Sequence, residues 1–259
     1  MVSSPLTDCD DVTLLKVFKA EDLIADWEKN LSIDIKSELK DHLEIYLYQC
    51  NQTKLKFFIP VDITGSTKLY EQLQKFPWYY MHNKWEHQIA LKDLSKCSQI
   101  LEIGSGSGSF IRLGLNRNLN IRGIEYNEAA VEIAQKQNLP VELRDLKDAA
   151  NFYQESLDGV CSFQVLEHVS NPKDFIGWSV QMLKSGGKLI YCVPNSESFL
   201  KYQYNLLDMP PHHMHLWCRE TFRSLETLFP IKLEKILLEP LAQYHISDYL
   251  NTYISYFRS

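Results

Sequence analysis

The six cysteines of this chain, Cys9, Cys50, Cys97, Cys161, Cys192 and Cys218, never fall into a C-x-x-C pair. That absence speaks against both a zinc-ligand spacing and a disulfide framework, and it fits a reduced, cytoplasmic setting. No run of lysines or arginines offsets a formal net charge of -6, so binding to nucleic acid through phosphates is not expected. Nowhere do about 18 apolar residues run together. The polar, acidic stretch from Met1 to Asp11 has neither a basic n-region nor an apolar h-region, so neither export nor a membrane span is expected. Glycine is scarce, at 10 of 259 residues, yet three of them stand on alternate positions at Gly104, Gly106 and Gly108.

With 45% hydrophobic and 23% charged residues, the chain can bury a sizeable core, as one large α/β domain with an appendage or as two small domains. It is organised around the stretch from Gln99 to Phe110, Q-I-L-E-I-G-S-G-S-G-S-F. A short apolar run carrying one acid, Glu102, gives way to the three glycines, which reads as a buried strand ending in a loop made of backbone. Such a turn between strand and helix cradles several kinds of cofactor, because glycine accepts positive φ and lets a ligand approach the main chain.

Before that loop, residues 22–27 read as helix, and the alternation of Leu43, Ile45 and Leu47 with polar and aromatic neighbours reads as a strand. A polar turn over residues 50–54 joins it to a second strand over 55–59, giving a β-hairpin. Cys50 in that turn is read as a small buried hydrophobe, since Thr53 and not a second cysteine stands three residues on. An aromatic-dense segment follows over residues 76–87, in which Tyr79, Tyr80 and His82 carry polar tips on apolar bodies; a lid over a pocket and plain packing both account for it.

After the glycines, a helix is expected over 110–116 and a second strand over 121–124, ending in Glu125 and Tyr126. Glu125 lies 21 positions after Gly104, where an α/β nucleotide fold places a carboxylate to accept ribose hydroxyls. Asn127 offers a helix cap, and further strands are expected over 140–143, 157–163 and 188–193. Strands alternating with helices at this spacing indicate a doubly wound, mostly parallel sheet with ligands outside its carboxyl ends.

The spacing G-x-G-x-G, with Glu102 two residues ahead, departs from the G-x-G-x-x-G that faces a pyrophosphate, and a carboxylate there would repel one. It suits a ligand with a cationic ammonium, such as the methionine part of S-adenosylmethionine. Glu125 as ribose clamp and Asp145 as acceptor for an adenine amino group complete an adenosine site.

Four segments in order, L-E-I-G-S-G-S-G from Leu101, G-I-E-Y-N from Gly123, F-Q-V-L-E-H-V from Phe163 and L-K-S-G-G-K-L-I from Leu183, resemble the motifs of class I S-adenosylmethionine-dependent methyltransferases. The resemblance is strong over residues 85–195. It implies a Rossmann-like, seven-stranded sheet with helices on both faces and a reversed last hairpin, with residues 231–238 and 244–253 as the sixth and seventh strands. It implies an N-terminal α+β appendage over residues 1–75, bearing the hairpin, and a methyltransferase domain over 76–259, with 76–95 as lid and leading helix. Cofactor contacts fall to Glu102, Gly104, Ser105, Gly106 and Gly108 at the methionine end, Glu125 and Tyr126 at the ribose, Asp145 and Leu146 at the adenine, and Gln164 beside the methionine.

The segment P-P-H-H-M-H-L-W, from Pro210 to Trp217, lies where relatives in the branch of ubiquinone-type and sugar O-methyltransferases contact their acceptors. Histidine can take a proton near neutral pH, so His213 is the leading candidate base, with His212 as alternate, His215 behind both, and His168 near the sulfonium or the acceptor. Tyr79, Tyr80, Trp85 and Trp217 are candidates for the acceptor side. Some relatives hold a divalent ion through E-x-x-E-H and a later histidine; here Gln164 stands at the first acid, so no metal is expected, and Glu167-His168 is expected to start the following helix. The N-terminal part resembles domains that often carry a paired-cysteine ribbon, which this chain lacks beyond Cys50. The expectation is therefore a methyltransferase acting on a hydroxyl of a small molecule or sugar. A non-catalytic, S-adenosylmethionine-binding accessory subunit is the alternative, and an NAD-dependent oxidoreductase is disfavoured by the glycine spacing and Glu102.

Overall fold

A computed structural model of the chain describes residues 2–76, 78–79, 84–241, 246–247 and 249–252. In order, its elements are β1 (Val12–Lys19), α1 (Ala20–Leu31), α2 (Lys36–Leu39), β2 (Glu44–Cys50), β3 (Lys56–Ile59) and α3 (Thr67–Leu73). There follow α4 (Trp85–Asp93), β4 (Ile100–Ile103), α5 (Ser109–Leu115), β5 (Ile121–Glu125), α6 (Glu128–Lys136), β6 (Val141–Leu143), α7 (Leu146–Phe152), β7 (Leu157–Phe163), α8 (Pro172–Gln181) and β8 (Leu183–Cys192). The last are β9 (His215–Leu216) and α9 (Arg219–Leu228). Among the described residues no helix is long and apolar enough to cross a membrane.

The chain divides into two compact units, one of Met1–Gln72 with Pro194–Ser259 and one of Leu73–Val193. The sequence places residues 194–259 with the methyltransferase domain; by this division they group with the N-terminal part. The first unit holds an antiparallel sheet in the order β1-β2-β3-β9. The expected hairpin is β2-β3, with Tyr46 opposite Ile59 and Gln49 opposite Lys56. β9 brings His215 opposite Phe57, so this sheet is completed from near the other end of the sequence. In α1, Ala20, Leu23 and Trp27 share one face and are buried there, as a helical repeat of apolar residues requires.

The second unit is a parallel sheet in the order β6-β5-β4-β7-β8. All four residues of the central strand β4 are buried, which fits a strand with neighbours on both edges and helices on both faces. Phe110, Ile111, Val131 and Leu139 pack with strand residues such as Ile121 and Val141 into its core. Side-chain caps start three of its helices: Asn127 accepts the N–H of Ala130, Asp145 those of Lys147 and Asp148, and Asn171 that of Asp174. The Lys184-Gly187 turn shows as an irregularity inside β8, where the register passes from Leu183 opposite Leu157 to Lys188 opposite Gly159.

Among the described residues, the expectation of seven strands is corrected to five in this sheet, with a separate antiparallel sheet in the other unit. Residues 231–238 form no strand, and among the described residues β8 pairs with β7 alone. The alternation of Ile231 and Leu233 with charged neighbours breaks at Ile236, Leu237 and Leu238, three apolar residues in a row, so neither face stays apolar. Residues 246–247 and 249–252 are helical, while Tyr244 and Tyr253, the ends of the expected seventh strand, lie outside the described residues. The stretch Glu167-His168 does not open a helix; it is a turn, and α8 starts after the Asn171 cap, where Pro172 fits the first helical position.

Gly123 in β5 marks a close approach. A Cβ there would lie 2.4 Å from Ser105 Oγ and 2.6 Å from Ser105 Cβ. Gly123→Ala is expected to destabilise the chain by about 1–3 kcal/mol through overpacking, and a second change, Ser105→Gly, to recover part of the loss. Urea unfolding of the single and double variants checks this; equal stability of Gly123→Ala and the parent would refute it.

Candidate active site

Within the unit of Leu73–Val193, the candidate cofactor residues gather at the carboxyl ends of β4, β5 and β6. The loop after β4 runs through Gly104, Gly106 and Gly108 with φ of 70°, 52° and 81°, all in the left-handed region that favours glycine. A Cβ built on Gly106 meets nothing within 4 Å, so the loop leaves open space at that point. Glu125, at the end of β5, holds this loop in place. Its Oε2 accepts the Gly106 N–H at 2.8 Å, while Oε1 accepts the N–H groups of Tyr126 at 2.8 Å and Asn127 at 2.9 Å.

Glu102 sits inside β4 at 4% exposure, and its Oε2 has no hydrogen-bond partner among the described residues. Burial pushes its carboxyl well above the ordinary value; the Lys84 ammonium works in the opposite direction and Glu125 adds to the rise. An orphaned, buried carboxyl of this kind next to an open backbone loop suits a cationic ligand group. Lys84 was not singled out in the sequence, because nothing local links a lysine ahead of α4 to an acid in β4.

Tyr126, Glu128, Leu143, Arg144 and Asp145 line a cleft of about 330 Å³ at the carboxyl ends of β5 and β6. Tyr126 is 78% exposed and free to present its ring there. Asp145 Oδ1 caps α7 by accepting the N–H of Lys147 at 2.8 Å and, more weakly, of Asp148 at 3.4 Å, while Oδ2 takes no part in the cap. Leu146 follows as the first residue of α7, half-buried. These residues fit an adenosine: a carboxylate for ribose hydroxyls, an aromatic ring and apolar edge for the base, and an acid for its amino group.

Ser105 ties the loop to β5: its N–H donates to the Ile124 carbonyl at 3.1 Å, and its buried hydroxyl lies 3.5 Å from that same oxygen. Gln164 lies just after β7 with φ 56°, its N–H bonded to the Cys192 carbonyl and its amide Nε2 3.4 Å from Cys192 Sγ. It brings an amide where a hard cation would want a carboxylate. His168 is mostly buried, with Nε2 3.9 Å from the buried carboxylate of Glu167. His87, in α4, is a further histidine of this unit: its ring lies 5.1 Å from Phe110 and 4.9 Å from Phe163, and burial draws its pKa down to about 4, so it is neutral near pH 7.

Of the aromatic segment, Tyr80 and His82 lie outside the described residues. Tyr79 is half-buried, its ring 6.1 Å from that of Trp78, and Trp85 is the half-buried first residue of α4.

The other unit carries the histidine-rich segment. His212 and His213 are each 5% exposed, their rings stacked with centroids 4.5 Å apart. His212 Nδ1 lies 2.7 Å from the Leu207 carbonyl, and since a carbonyl only accepts, that nitrogen carries the proton. His213 Nδ1 lies 3.4 Å from Asp208 Oδ1, and Asn205 Nδ2 donates to Asp208 Oδ2 at 3.0 Å. Burial pushes the Asp208 carboxyl up, and the Asn205 hydrogen bond partly offsets this. The backbone N–H groups of both histidines bond to the Met209 carbonyl, which fixes their main chain. Asp208 and Asn205 were missed in the sequence; an acid five residues before a histidine becomes meaningful only when the chain folds back between them.

His215 is a core residue of β9, with burial drawing its pKa down to about 3. Trp217, a candidate for the acceptor side, is 1% exposed, with its ring 5.3 Å from Phe222.

A family model described as a methyltransferase domain matches residues 78–229. The mitochondrial ubiquinone biosynthesis O-methyltransferase of Dictyostelium discoideum is 30% identical over 113 residues, covering 40% of this chain and 29% of that protein. The ubiquinone biosynthesis O-methyltransferase of Alkalilimnicola ehrlichii is 25% identical over 131 residues, covering 46% of this chain and 53% of that one. The chain thus spans about half or less of these two relatives. Among solved structures, an S-adenosylmethionine-dependent methyltransferase from Archaeoglobus fulgidus is similar with a TM-score of 0.46 at 19% identity, covering 65% of this chain and 86% of that one. The glycine loop held by Glu125 and the family model's match over residues 78–229, more than half of the chain, agree, and the chain belongs to the class I S-adenosylmethionine-dependent methyltransferase family.

Proposed function

We propose that this chain methylates a hydroxyl of a small molecule or sugar, with His213 taking the proton that the hydroxyl loses. S-adenosylmethionine supplies an electrophilic methyl group already activated by its sulfonium, so the protein's task is positioning and proton removal. The observation that carries the cofactor half of this reading is the Glu125 carboxylate bonded to the open glycine loop, with the buried Glu102 carboxyl beneath it. In this reading Glu125 accepts the ribose hydroxyls, Glu102 faces the ammonium of the methionine part, and Tyr126, Leu146 and Asp145 receive the adenine. Gln164 and His168 stand beside the methionine end, and Tyr79, Tyr80 and Trp85 belong to the acceptor side.

Support for the acceptor half comes from the dyad of Asp208 and His213. A carboxylate beside Nδ1 favours the tautomer whose Nε2 accepts a proton, and it stabilises the imidazolium that results. His212, locked by the Leu207 carbonyl in the same tautomer, is the alternate base. Low-identity relatives that carry the name ubiquinone biosynthesis O-methyltransferase favour oxygen as the atom methylated. An acidic chain without basic runs favours a small acceptor over nucleic acid.

His213→Ala is expected to lower kcat about 10²–10⁴-fold while leaving S-adenosylmethionine affinity unchanged. Transfer of a labelled methyl group to a panel of phenols, catechols and sugars, with calorimetry for cofactor binding, measures both. Full turnover by the variant would remove His213 from the chemistry. Cofactor binding by the parent with no transfer to any acceptor would favour an accessory subunit.

A second expectation concerns protons. The Glu102 carboxyl titrates above its ordinary 4.5 in the free protein, and a nearby ammonium favours its charged form. Binding therefore lowers its pKa and releases a proton, so affinity rises with pH across the window from about 4.5 up to the raised value. Calorimetry of S-adenosylmethionine binding in buffers of different ionisation enthalpy reads this release, and Glu102→Gln should abolish it. Unchanged proton release in that variant would exclude Glu102 as its source.

A further inference from the structure

Two turns in the unit of Met1–Gln72 and Pro194–Ser259 repeat one another bond for bond. The first runs from Ser4 and the second from Cys50. In the first, the Ser4 N–H donates to the Cys9 carbonyl at 2.8 Å and the Asp8 N–H to the Ser4 carbonyl at 2.9 Å. In the second, the Cys50 N–H donates to the Leu55 carbonyl and the Lys54 N–H to the Cys50 carbonyl, each at 2.9 Å. The fifth residue of each turn is left-handed, Asp8 with φ 58° and Lys54 with φ 62°.

The side chains match as well. Ser4 Oγ accepts the Leu6 N–H at 3.4 Å and Thr7 Oγ1 the Cys9 N–H at 3.3 Å. Correspondingly, Thr53 Oγ1 accepts the Leu55 N–H at 3.3 Å, and the Gln52 N–H helps to lower the pKa of the Cys50 thiol. So positions one and four of each turn carry a short side chain, and Ser4, Thr7 and Thr53 each accept the N–H two residues on.

These four side chains converge. Ser4 and Cys50 are 0% exposed and Thr53 2%. Burial works to raise the pKa of the Cys50 thiol, but the nearby hydroxyls of Thr53 and Ser4 help draw it down, and Thr7 Oγ1 lies 4.0 Å from Cys50 Sγ. In a tetrahedral zinc site with metal–sulfur bonds of about 2.3 Å, neighbouring sulfurs lie about 3.8 Å apart. The spacing of two residues between paired positions, twice over, is also that of C-x-x-C ligand pairs.

We infer that this pair of turns is the cradle of a four-thiolate metal site in which Ser4, Thr7 and Thr53 stand in three of the four ligand positions, so that hydroxyl side chains gathered about Cys50 replace the metal and its other ligands. Hydroxyls keep their protons near neutral pH and bind zinc poorly, and one thiol cannot hold the ion alone. The residues present therefore do not fit a metal, but their backbone does. Other bonds tie the same two segments together without one: the Asn51 N–H donates to the Asp11 carbonyl at 3.0 Å, Asn51 Nδ2 to Asp11 Oδ1 at 2.7 Å, and Gln52 Nε2 to Cys9 Sγ at 3.3 Å.

The full chain and its triple variant Ser4→Cys/Thr7→Cys/Thr53→Cys test this. The parent, dialysed against Zn(II), should retain far less than one equivalent per chain by elemental analysis, and a chelator should leave its Tm unchanged. The variant should take up one equivalent of Zn(II), lose Tm on chelation, and give the intense visible bands of tetrahedral thiolate coordination with Co(II). A variant with parental circular dichroism that takes up no metal would overturn the inference, as would a parent that holds one zinc released by Cys50→Ser. If the triple variant does not fold, Thr53→Cys alone decides. With Cys50 it makes one C-x-x-C pair, and tetrahedral Co(II) uptake that disappears on adding Cys50→Ser supports the inference, while no uptake overturns it.

Discussion

One carboxylate, that of Glu125, organises the cofactor half of this molecule. It closes β5 and accepts three backbone N–H groups, two from the turn that follows and one from the glycine loop after the neighbouring strand. A loop with three left-handed residues has many conformations to lose, and an acceptor anchored to a buried strand selects one of them. Ser105 adds a second tie between the same loop and β5, and the absence of a side chain on Gly123 gives it room. The protein's own bonds thus fix the shape of the loop, which is what precise recognition requires.

Much of this was legible because it is local. The glycine spacing, the acid ahead of it, Glu125 at the next strand tip and the cap at Asn127 each depend on a few neighbouring residues, and the structure places them together at one end of the parallel sheet. What could not be read depends on partners distant in sequence. A strand exists only if another strand takes its hydrogen bonds, so the apolar pattern over 231–238 did not suffice to make one. Ser105 sits among residues expected at the cofactor, and only the nearness of β5 shows that its hydroxyl lies against that strand. That His215 and Trp217 are as buried as the two histidines before them likewise depends on how the chain folds back.

The two histidines that remain, His212 and His213, illustrate how one backbone segment can set proton positions. Carbonyl 207 and carboxylate 208 each address an Nδ1, so both rings are held in the same sense by residues of a single short turn. The protein does this with polar groups that are themselves bonded: Asn205 donates to Asp208 and accepts the Leu207 N–H through its Oδ1. Buried polar networks of this kind hold a geometry only when their members are satisfied.

The pairing of β9 with β3 has a consequence for how the chain acquires its structure during synthesis. Phe57 must wait for His215 before its outer edge is covered, whereas every strand of the parallel sheet lies between Ile100 and Cys192. On a ribosome that releases the amino end first, the parallel sheet has all of its strands while the antiparallel one still lacks its last. The unit that starts the sequence is therefore the one finished later. A folded insert between β3 and β9 also shortens the length of loose chain that their pairing must close, which reduces the entropy lost when the ends meet.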